Sequence, residues 1–258
     1  MMKPTFRKNG LTLTELVVVI AVAAILLGIS VPAAKKIAES FDYSTGPRSL
    51  INAALTSARA LAVAQSTPAG VRFQPDANGD FYMIFIIYNR AKTNLANGFM
   101  AAAGRKPIRL PQNIGVLEGS FKGAGTAAAK DAFLSTEAGL RDAQTFSVVF
   151  SEQGQLIRFP VRVRNRDGKT ETDDSSGSGN SSLDPIFNTK KNVENKIAMF
   201  CQDDYPEEGL GQENSVYSFY IYEKNRLAEV PAGQRFTGYI GNLQKEFINP
   251  YTGQLIRR

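Results

Sequence analysis

The sequence predicts an α+β protein in which a long N-terminal helix packs on an antiparallel β-sheet domain. Three observations indicate this class: an apolar run near the start of the chain, an amphipathic stretch after it, and short β-prone runs separated by turn residues over most of the remainder. The chain has 258 residues, so the part after the apolar run is long enough to bury a core of its own.

A basic leader is predicted over residues 1–10. The segment MMKPTFRKNG contains three cations and no acid: Lys3, Arg7 and Lys8. The whole chain has a formal net charge of +6, so these first residues carry half of it.

A transmembrane helix is predicted over residues 11–32. The run from Leu16 to Val31 has sixteen residues, and a helix of that length reaches about 24 Å, short of the roughly 30 Å hydrocarbon core. Counted from Leu11, the helix reaches about 31 Å. A complete span therefore includes the carboxylate of Glu15.

Glu15 needs a cationic partner in apolar surroundings, since an acidic residue costs about 2.5 to 3.5 kcal/mol at the centre of a membrane helix and less near its end. A cut after Gly10 would create an α-amine on Leu11, four residues before Glu15 and on the same helical face. The amine of the same chain or of a neighbouring chain could neutralise the carboxylate. The second pairing would set the register of head-to-side assembly.

The string KNGLTLTELVVVIAVAAILLGISVPAA resembles the class III signal of type IV pilins and type II secretion pseudopilins. Gly10 stands before the cut, glutamate is the fifth mature residue, and Pro32 falls where the family often has proline. The resemblance implies that prepilin peptidase cuts between Gly10 and Leu11 and methylates the new amine of Leu11. It also implies that Glu15 supports recruitment or methylation and aligns the subunit in the filament. Leu11 is a departure, because many members begin with Phe or Met.

The resemblance also implies partners and a location. The partners are prepilin peptidase, other pilins or pseudopilins, and the inner-membrane assembly platform. The protein would be a single-pass inner-membrane protein with a periplasmic C-terminal domain, incorporated into a pseudopilus or pilus. An ordinary secretory signal, cut near Ala33, and a plain signal anchor are the alternatives, but Glu15 at the head of the apolar run is unexpected for a secretory signal.

An amphipathic continuation of the helix is predicted over residues 33–66. Apolar residues recur at helical spacing and should pack on a sheet: Leu50, Ile51, Ala54, Leu55, Ala58, Leu61 and Ala62. Residues 42–47 contain helix breakers, so a break or kink is predicted there, although an unbroken helix is the usual arrangement in the family.

A periplasmic β-rich domain is predicted over residues 67–258. Strands over Val71–Gln74 and Phe81–Tyr88 should form a hairpin in which Asn78-Gly79 suits a primed turn. The second strand, apolar on both faces, should be central. Further elements are a partly helical insertion over 91–106, a strand in PIRLPQNIGVLEG, a short helix over 126–143, two strands in TFSVVFSEQGQLIRFPVRVRN, and a strand in SVYSFYIYE.

Residues 165–182, NRDGKTETDDSSGSGNSS, are predicted to form a flexible loop because they are polar and low in complexity. Asp167, Asp173 and Asp174 could attract calcium, but their spacing matches no defined calcium loop, so a solvated acidic loop is favoured.

The amino-acid composition limits the catalytic mechanisms that the chain could support. The chain has no His and one Cys, Cys201, which excludes Ser-His-Asp triads, Cys-His pairs, His-ligated zinc and intrachain disulfides. We predict a protein that is not an enzyme and holds no cofactor or metal, although an enzyme working with carboxylates alone stays an alternative.

A subtype is indicated by a second resemblance. The segments SLINAALTSARALAVAQSTPAGVRF and FSVVFSEQGQL are similar to H-type minor pseudopilins and fimbrial T-type minor pilins, the GspH/FimT-like group. We therefore predict a minor pseudopilin of a type II secretion pseudopilus. The alternatives are a minor type IV pilin that acts in pilus assembly or DNA uptake, and a membrane-anchored periplasmic enzyme or binding protein.

Arg162, Arg164 and Arg166 alternate with Val161 and Val163, so a strand would place the arginines on one face. Because T-type relatives are associated with DNA uptake, these arginines are candidate contacts for DNA or phosphate. A solvated outer sheet face is favoured, since no aromatic residue lies between them.

Overall fold

The computed structural model describes residues 46–121, 124–169 and 182–257. These residues form two larger sheets, a two-stranded ribbon and several helices, so the α+β class is confirmed for them. The leader, the transmembrane helix over 11–32 and the continuation up to residue 45 lie outside the described residues. The packing of that part of the N-terminal helix therefore stays a prediction.

The helices in the described part are α1 Gly46–Gln65, α2 Arg90–Thr93, α3 Ala127–Ser135, α4 Glu137–Gln144, α5 Lys190–Glu194, α6 Lys224–Glu229 and α7 Arg235–Gly238. The strands are β1 Ala69–Pro75, β2 Phe81–Tyr88, β3 Gly98–Ala101, β4 Ile108–Arg109, β5 Ile114–Glu118, β6 Phe146–Phe150, β7 Leu156–Ile157, β8 Pro160–Arg164, β9 Phe187–Asn188, β10 Phe200–Cys201, β11 Glu213–Asn214, β12 Ser218–Glu223, β13 Lys245–Ile248 and β14 Leu255–Arg257.

The main sheet has the strand order β11-β8-β3-β2-β1-β6-β7, with β4 also paired to β2. The second sheet has the order β14-β13-β12-β5 and is antiparallel throughout. Two of the described strand pairs are parallel, β3 with β8 and β9 with β10. The sequence predicted an antiparallel sheet and no parallel pair. A parallel pair requires a long connection, and the chain makes one between β3 and β8 by building β5, α3, α4 and β6 on the way.

Helix α1 has the apolar face that the spacing predicts. Pro47 lies in the first turn, where its missing N–H costs no hydrogen bond. The helix ends in a Schellman motif: Ser66 has a φ of +47°, and the N–H of Thr67 donates to the carbonyl of Ala62 at 3.2 Å. The buried residues are Pro47, Ile51, Ala54, Leu55, Ala58 and Ala62, whereas Leu50 and Leu61 are only partly buried.

Two polar side chains of α1 bind the edge of the second sheet. The Asn52 carboxamide oxygen accepts the N–H of Leu255 at 2.7 Å, and Arg48 Nη2 donates to the carbonyl of Leu255 at 2.9 Å. Arg48 Nε also pairs with the buried Glu246 on β13 at 3.0 Å. Side chains of α1 therefore satisfy backbone groups on the free side of β14.

The two sheets are joined by aromatic side chains. Phe73 on β1 stacks on Phe146 on β6 with ring centroids 4.9 Å apart, and Phe219 on β12 lies 5.5 Å from Phe73 and 5.7 Å from Phe146. All three rings are fully buried. Aromatic pairs at these separations stabilise a core beyond the burial of their area.

The opposite face of the main sheet is covered by the segment from Ser182 to Asp203. Phe187 and Phe200 of the parallel ribbon join a buried cluster with Ile86, Phe99 and Val163 of the sheet. Strand β2 is consequently buried on both faces, and the prediction that it is a central strand is confirmed.

The β1–β2 hairpin differs from the predicted primed turn. Of its loop residues, Gly79 alone has a positive φ, +78°, whereas a primed type I′ turn needs positive φ at Asn78 as well. The Asp76 carboxylate accepts the backbone N–H groups of Asn78 and Asp80, each at 2.9 Å. These bonds hold the chain in an unprimed turn that Gly79 completes.

The structure changes three other predictions about helices and strands. The helix predicted over 126–143 is two helices divided at Thr136, whose hydroxyl accepts the N–H of Gly139 and caps α4. The segment over 145–165 forms three strands instead of two. The insertion over 91–106 contains β3 in addition to a short helix.

Candidate functional site

The residues that the family resemblance makes functional lie at the start of the chain. Gly10 and Leu11, predicted as the cleavage and methylation site, and Glu15, predicted to act in assembly, are outside the described residues. In the part of the chain that is described, no helix combines the length and the apolar character needed to cross a membrane.

The arginine pattern lies on β8 as predicted. Val161 and Val163 are buried, and Arg162 and Arg164, which alternate with them, are partly exposed. Arg166 follows the end of the strand. The alternation of arginine and valine therefore corresponds to the two faces of a strand.

Each of the three arginines has a carboxylate partner. Arg162 Nη2 lies 2.8 Å from Asp204 Oδ1, and Arg164 Nη1 lies 2.7 Å from Asp204 Oδ2. Arg166 Nη2 lies 2.9 Å from Asp184 Oδ1. The two carboxylates offset most of the positive charge, so the cluster offers a phosphate less attraction than the sequence pattern indicates.

A buried ion pair lies on the covered face of the main sheet. The Arg72 guanidinium on β1 pairs with Asp203, and both side chains are almost completely buried. Arg72 Nε donates to Gln74 Oε1 at 2.9 Å, and the second oxygen of Asp203 accepts the N–H of Val163 at 3.0 Å. Burial raises the pKa of the Asp203 carboxyl, against the lowering by Arg72. The pair joins the segment from Ser182 to Asp203 to the sheet.

A second charged cluster borders a cavity of about 170 Å³. Glu208 pairs with Lys190 and, at 2.8 Å, with Arg141. The hydrogen bond from Lys190 lowers the pKa of Glu208. Cys201 lies on the same cavity, and burial raises the pKa of its thiol to about 11, which disfavours the thiolate at neutral pH. Residues 46–121, 124–169 and 182–257 contain no cluster of acids and cysteine suited to a metal ion.

Sequence reasoning missed both charged clusters. Arg72 and Asp203 are 131 positions apart, so no local pattern connects them. One local signal existed: Arg72 interrupts the β-prone run AGVRF, and a charged residue inside a buried strand requires a partner.

Comparison with known proteins identifies one segment of the chain. Residues 5–31 match the family model described as the prokaryotic N-terminal methylation motif, the type IV pilin-like signal. The motif indicates a pilin- or pseudopilin-type substrate of prepilin peptidase and is consistent with membrane anchoring and incorporation into a pilus. No curated protein and no solved structure matches the chain.

The matched segment confirms the predicted class of signal. It includes Gly10, Leu11 and Glu15, whose individual roles stay predictions. The finer resemblance to H-type pseudopilins and T-type pilins has no matching relative.

Proposed function

We propose that the protein is a minor pseudopilin, a structural subunit of a type II secretion pseudopilus. The observation that carries the proposal is the methylation motif over residues 5–31, placed ahead of a folded α+β domain. Prepilin peptidase cuts between Gly10 and Leu11 and methylates the amine of Leu11. The inner-membrane assembly platform then inserts the subunit among other pseudopilins.

Charge pairing gives this assembly its register. The Glu15 carboxylate lies at the head of an apolar helix, where an unpaired charge is costly. Processing of a neighbouring chain supplies the amine that neutralises it, while the apolar surfaces of the helices pack. If a subunit joins the filament with its Leu11 amine away from the neighbouring Glu15, the amine and the carboxylate both stay unpaired.

The contacts of α1 support a rigid connection between the helix and the domain. Ile51 and Leu55 are fully buried, and Arg48 and Asn52 bind β13 and β14. Helix α1 and the two sheets are therefore held together as one folded domain. We infer that the domain selects partners while the N-terminal segment supplies the packing.

The two segments on which the H-type assignment rests contact each other. The two segments that carry this resemblance correspond to α1 with β1 and to β6 with β7. Arg59 in the first segment donates from Nε to the carbonyl of Gly154 in the second at 2.8 Å. The two segments are therefore neighbours in the fold, as expected if they belong to one family pattern.

A minor type IV pilin that contacts DNA is the second candidate. It depends on Arg162, Arg164 and Arg166, and their pairing with Asp204 and Asp184 weakens it. A membrane-anchored periplasmic enzyme or binding protein is the third candidate, and it requires neither cleavage after Gly10 nor Glu15.

Mass spectrometry of the protein purified from its native membrane tests the proposal. We expect a mature chain that begins with N-methylated Leu11. A chain that keeps residues 1–10, or one that begins at Ala34, would contradict the proposal, because the first lacks the new amine and the second lacks Glu15.

A further inference from the structure

A small pocket lies where the end of the β1–β2 hairpin meets α4, β12, α6 and α7. Its volume is about 210 Å³. We call it the basic pocket and define it by its four polar lining residues, Gln144, Tyr222, Lys224 and Arg235.

The basic pocket has a positive charge that its own residues do not neutralise. Its lining includes two cations and no carboxylate. Lys224 Nζ lies 3.7 Å from Asp80, but Asp80 also pairs with Arg109 at 2.6 Å, so one carboxylate serves two cations. Arg235 forms no ion pair with any carboxylate in the described ranges, and its Nη1 donates to the carbonyl of Leu134 at 2.6 Å.

Hydrogen-bond donors remain unused in the pocket. Arg235 Nε is buried and has no acceptor among the described residues. The Tyr222 hydroxyl oxygen accepts from Gln144 Nε2 at 2.7 Å, which leaves the hydroxyl proton free to donate. Burial raises the pKa of Tyr222, so this proton is kept at neutral pH. A buried donor without an acceptor is costly, so the unpaired Nε of Arg235 indicates a missing acceptor.

The size and walls of the pocket limit the ligand. A volume of about 210 Å³ is below the roughly 300 Å³ at which pockets for drug-sized molecules begin. Phe81, Leu140 and Leu227 form apolar walls beside the donors. The fitting ligand is a single acceptor group on a short apolar stem.

We propose that the basic pocket binds a carboxylate on an apolar stem the size of one amino-acid residue, presented by a partner protein. Arg235 and Tyr222 donate hydrogen bonds to the carboxylate, and Lys224 adds positive charge. The stem packs against Phe81, Leu140 and Leu227. The carboxylate has two sources, the C-terminus of a partner chain or an Asp or Glu side chain, and both present the same chemistry. This inference goes beyond the proposed function and does not depend on it.

Short labelled peptides test the proposal with the full-length chain in detergent micelles. The first probe is a peptide that ends in Gly-Leu with a free carboxylate, and its C-terminal amide is the neutral control. A third probe has an internal Asp-Leu pair and an amidated end. Binding is measured by fluorescence anisotropy. We expect at least one acidic probe to bind about tenfold or more tightly than the amide control. The tighter of the two acidic probes identifies the source.

Variants assign the binding to the pocket. We expect Arg235→Gln to reduce the affinity for the acidic probe about tenfold and to leave the weak binding of the amide unchanged. Arg226→Gln is the matched control, because Arg226 lies on α6 with its side chain 65% exposed and does not line the pocket. Tyr222→Phe keeps the ring and removes the hydroxyl, and we expect a severalfold loss of affinity.

Three results would overturn the proposal: equal binding of the acids and the amide, no binding of either acid at millimolar concentration, or wild-type affinity in Arg235→Gln. The comparison of acid with amide uses the wild-type chain, so it decides the question even if a variant fails to fold. The mature N-terminus is measured separately, so failure here is distinguishable from failure of the proposed function.

Discussion

At the scale of single residues, charges in apolar surroundings dominate this protein. Arg72 and Asp203 are buried together inside the folded domain. Glu15 stands at the head of an apolar run and is proposed to wait for a partner from another chain. The physical requirement is the same at both places, because removing one member of a buried pair leaves the other charge unneutralised.

Glu15→Ala should prevent incorporation into the pseudopilus while leaving the domain folded, because the carboxylate that pairs with the neighbouring amine is lost. The amount of the protein in sheared filament fractions measures incorporation. Thr14→Ala is the control, since it changes the adjacent residue without removing a charge. Normal incorporation of Glu15→Ala would argue against the charge-based register.

Asp203→Asn should lower the free energy of unfolding by about 3 kcal/mol or more, because Arg72 keeps its charge in a buried site. Asp204→Asn is the matched control at the next position. Asp204 is 21% exposed, and loss of its ion pairs should cost less than about 1 kcal/mol. Urea unfolding followed by circular dichroism measures both variants. Equal losses of unfolding free energy in the two variants would show that the buried pair contributes no more to stability than the exposed pairs.

At the scale of elements, helix α1 and strand β2 were predictable because their patterns are long and regular. Apolar residues at helical spacing place Ile51, Leu55 and Ala58 on one face, and all three are buried. The run from Phe81 to Tyr88 is apolar throughout, which is typical of a strand covered on both sides.

Short elements were not predictable. Strands β4, β7, β9, β10 and β11 have two residues each, so they have no periodicity to detect. Their positions depend on distant partners. The prediction of a primed hairpin turn was wrong. Asn78-Gly79 favours a primed turn in isolation, whereas the carboxylate of Asp76 stabilises the unprimed turn.

Leu55→Ala should destabilise the domain by about 2 to 5 kcal/mol, because it opens a cavity under the buried face of α1. Val63→Ala is the control on the same helix. Val63 is 49% exposed, so its truncation should change the free energy of unfolding by about 0.5 kcal/mol or less. Thermal unfolding compares the two variants, and a cost for Leu55→Ala as small as that for Val63→Ala would mean that α1 does not anchor the domain.

At the scale of the whole molecule, the cations of β8 and its extension do not form an open positive surface in the part of the chain that the structure describes. Arg162, Arg164 and Arg166, the densest cationic pattern in the later sequence, are paired with Asp184 in the segment that covers the sheet and with Asp204 directly after it. The sequence shows the cations but not Asp184 and Asp204 as their partners, because tertiary contacts bring these residues together. For the same reason it does not show that β3 and β8 pair in parallel.

The triple change of Arg162, Arg164 and Arg166 to Ala should leave DNA binding unaltered in a mobility shift assay over a range of salt concentrations, since these charges are already paired. Asp204→Asn provides the complementary variant, because it releases Arg162 and Arg164 from their partner. Salt-sensitive binding by the wild type that disappears in the triple variant would instead support the DNA-contacting pilin.

The side chains of Asn52 and Arg48 occupy the free side of β14, and this contact has a consequence for the solubility of the protein. If α1 were pulled from the domain, Leu255 would offer an unsatisfied N–H and carbonyl to any extended chain nearby. At high concentration, copies of the protein would then pair through this edge and form insoluble aggregates. Helix α1 therefore also protects the edge of the second sheet against aggregation.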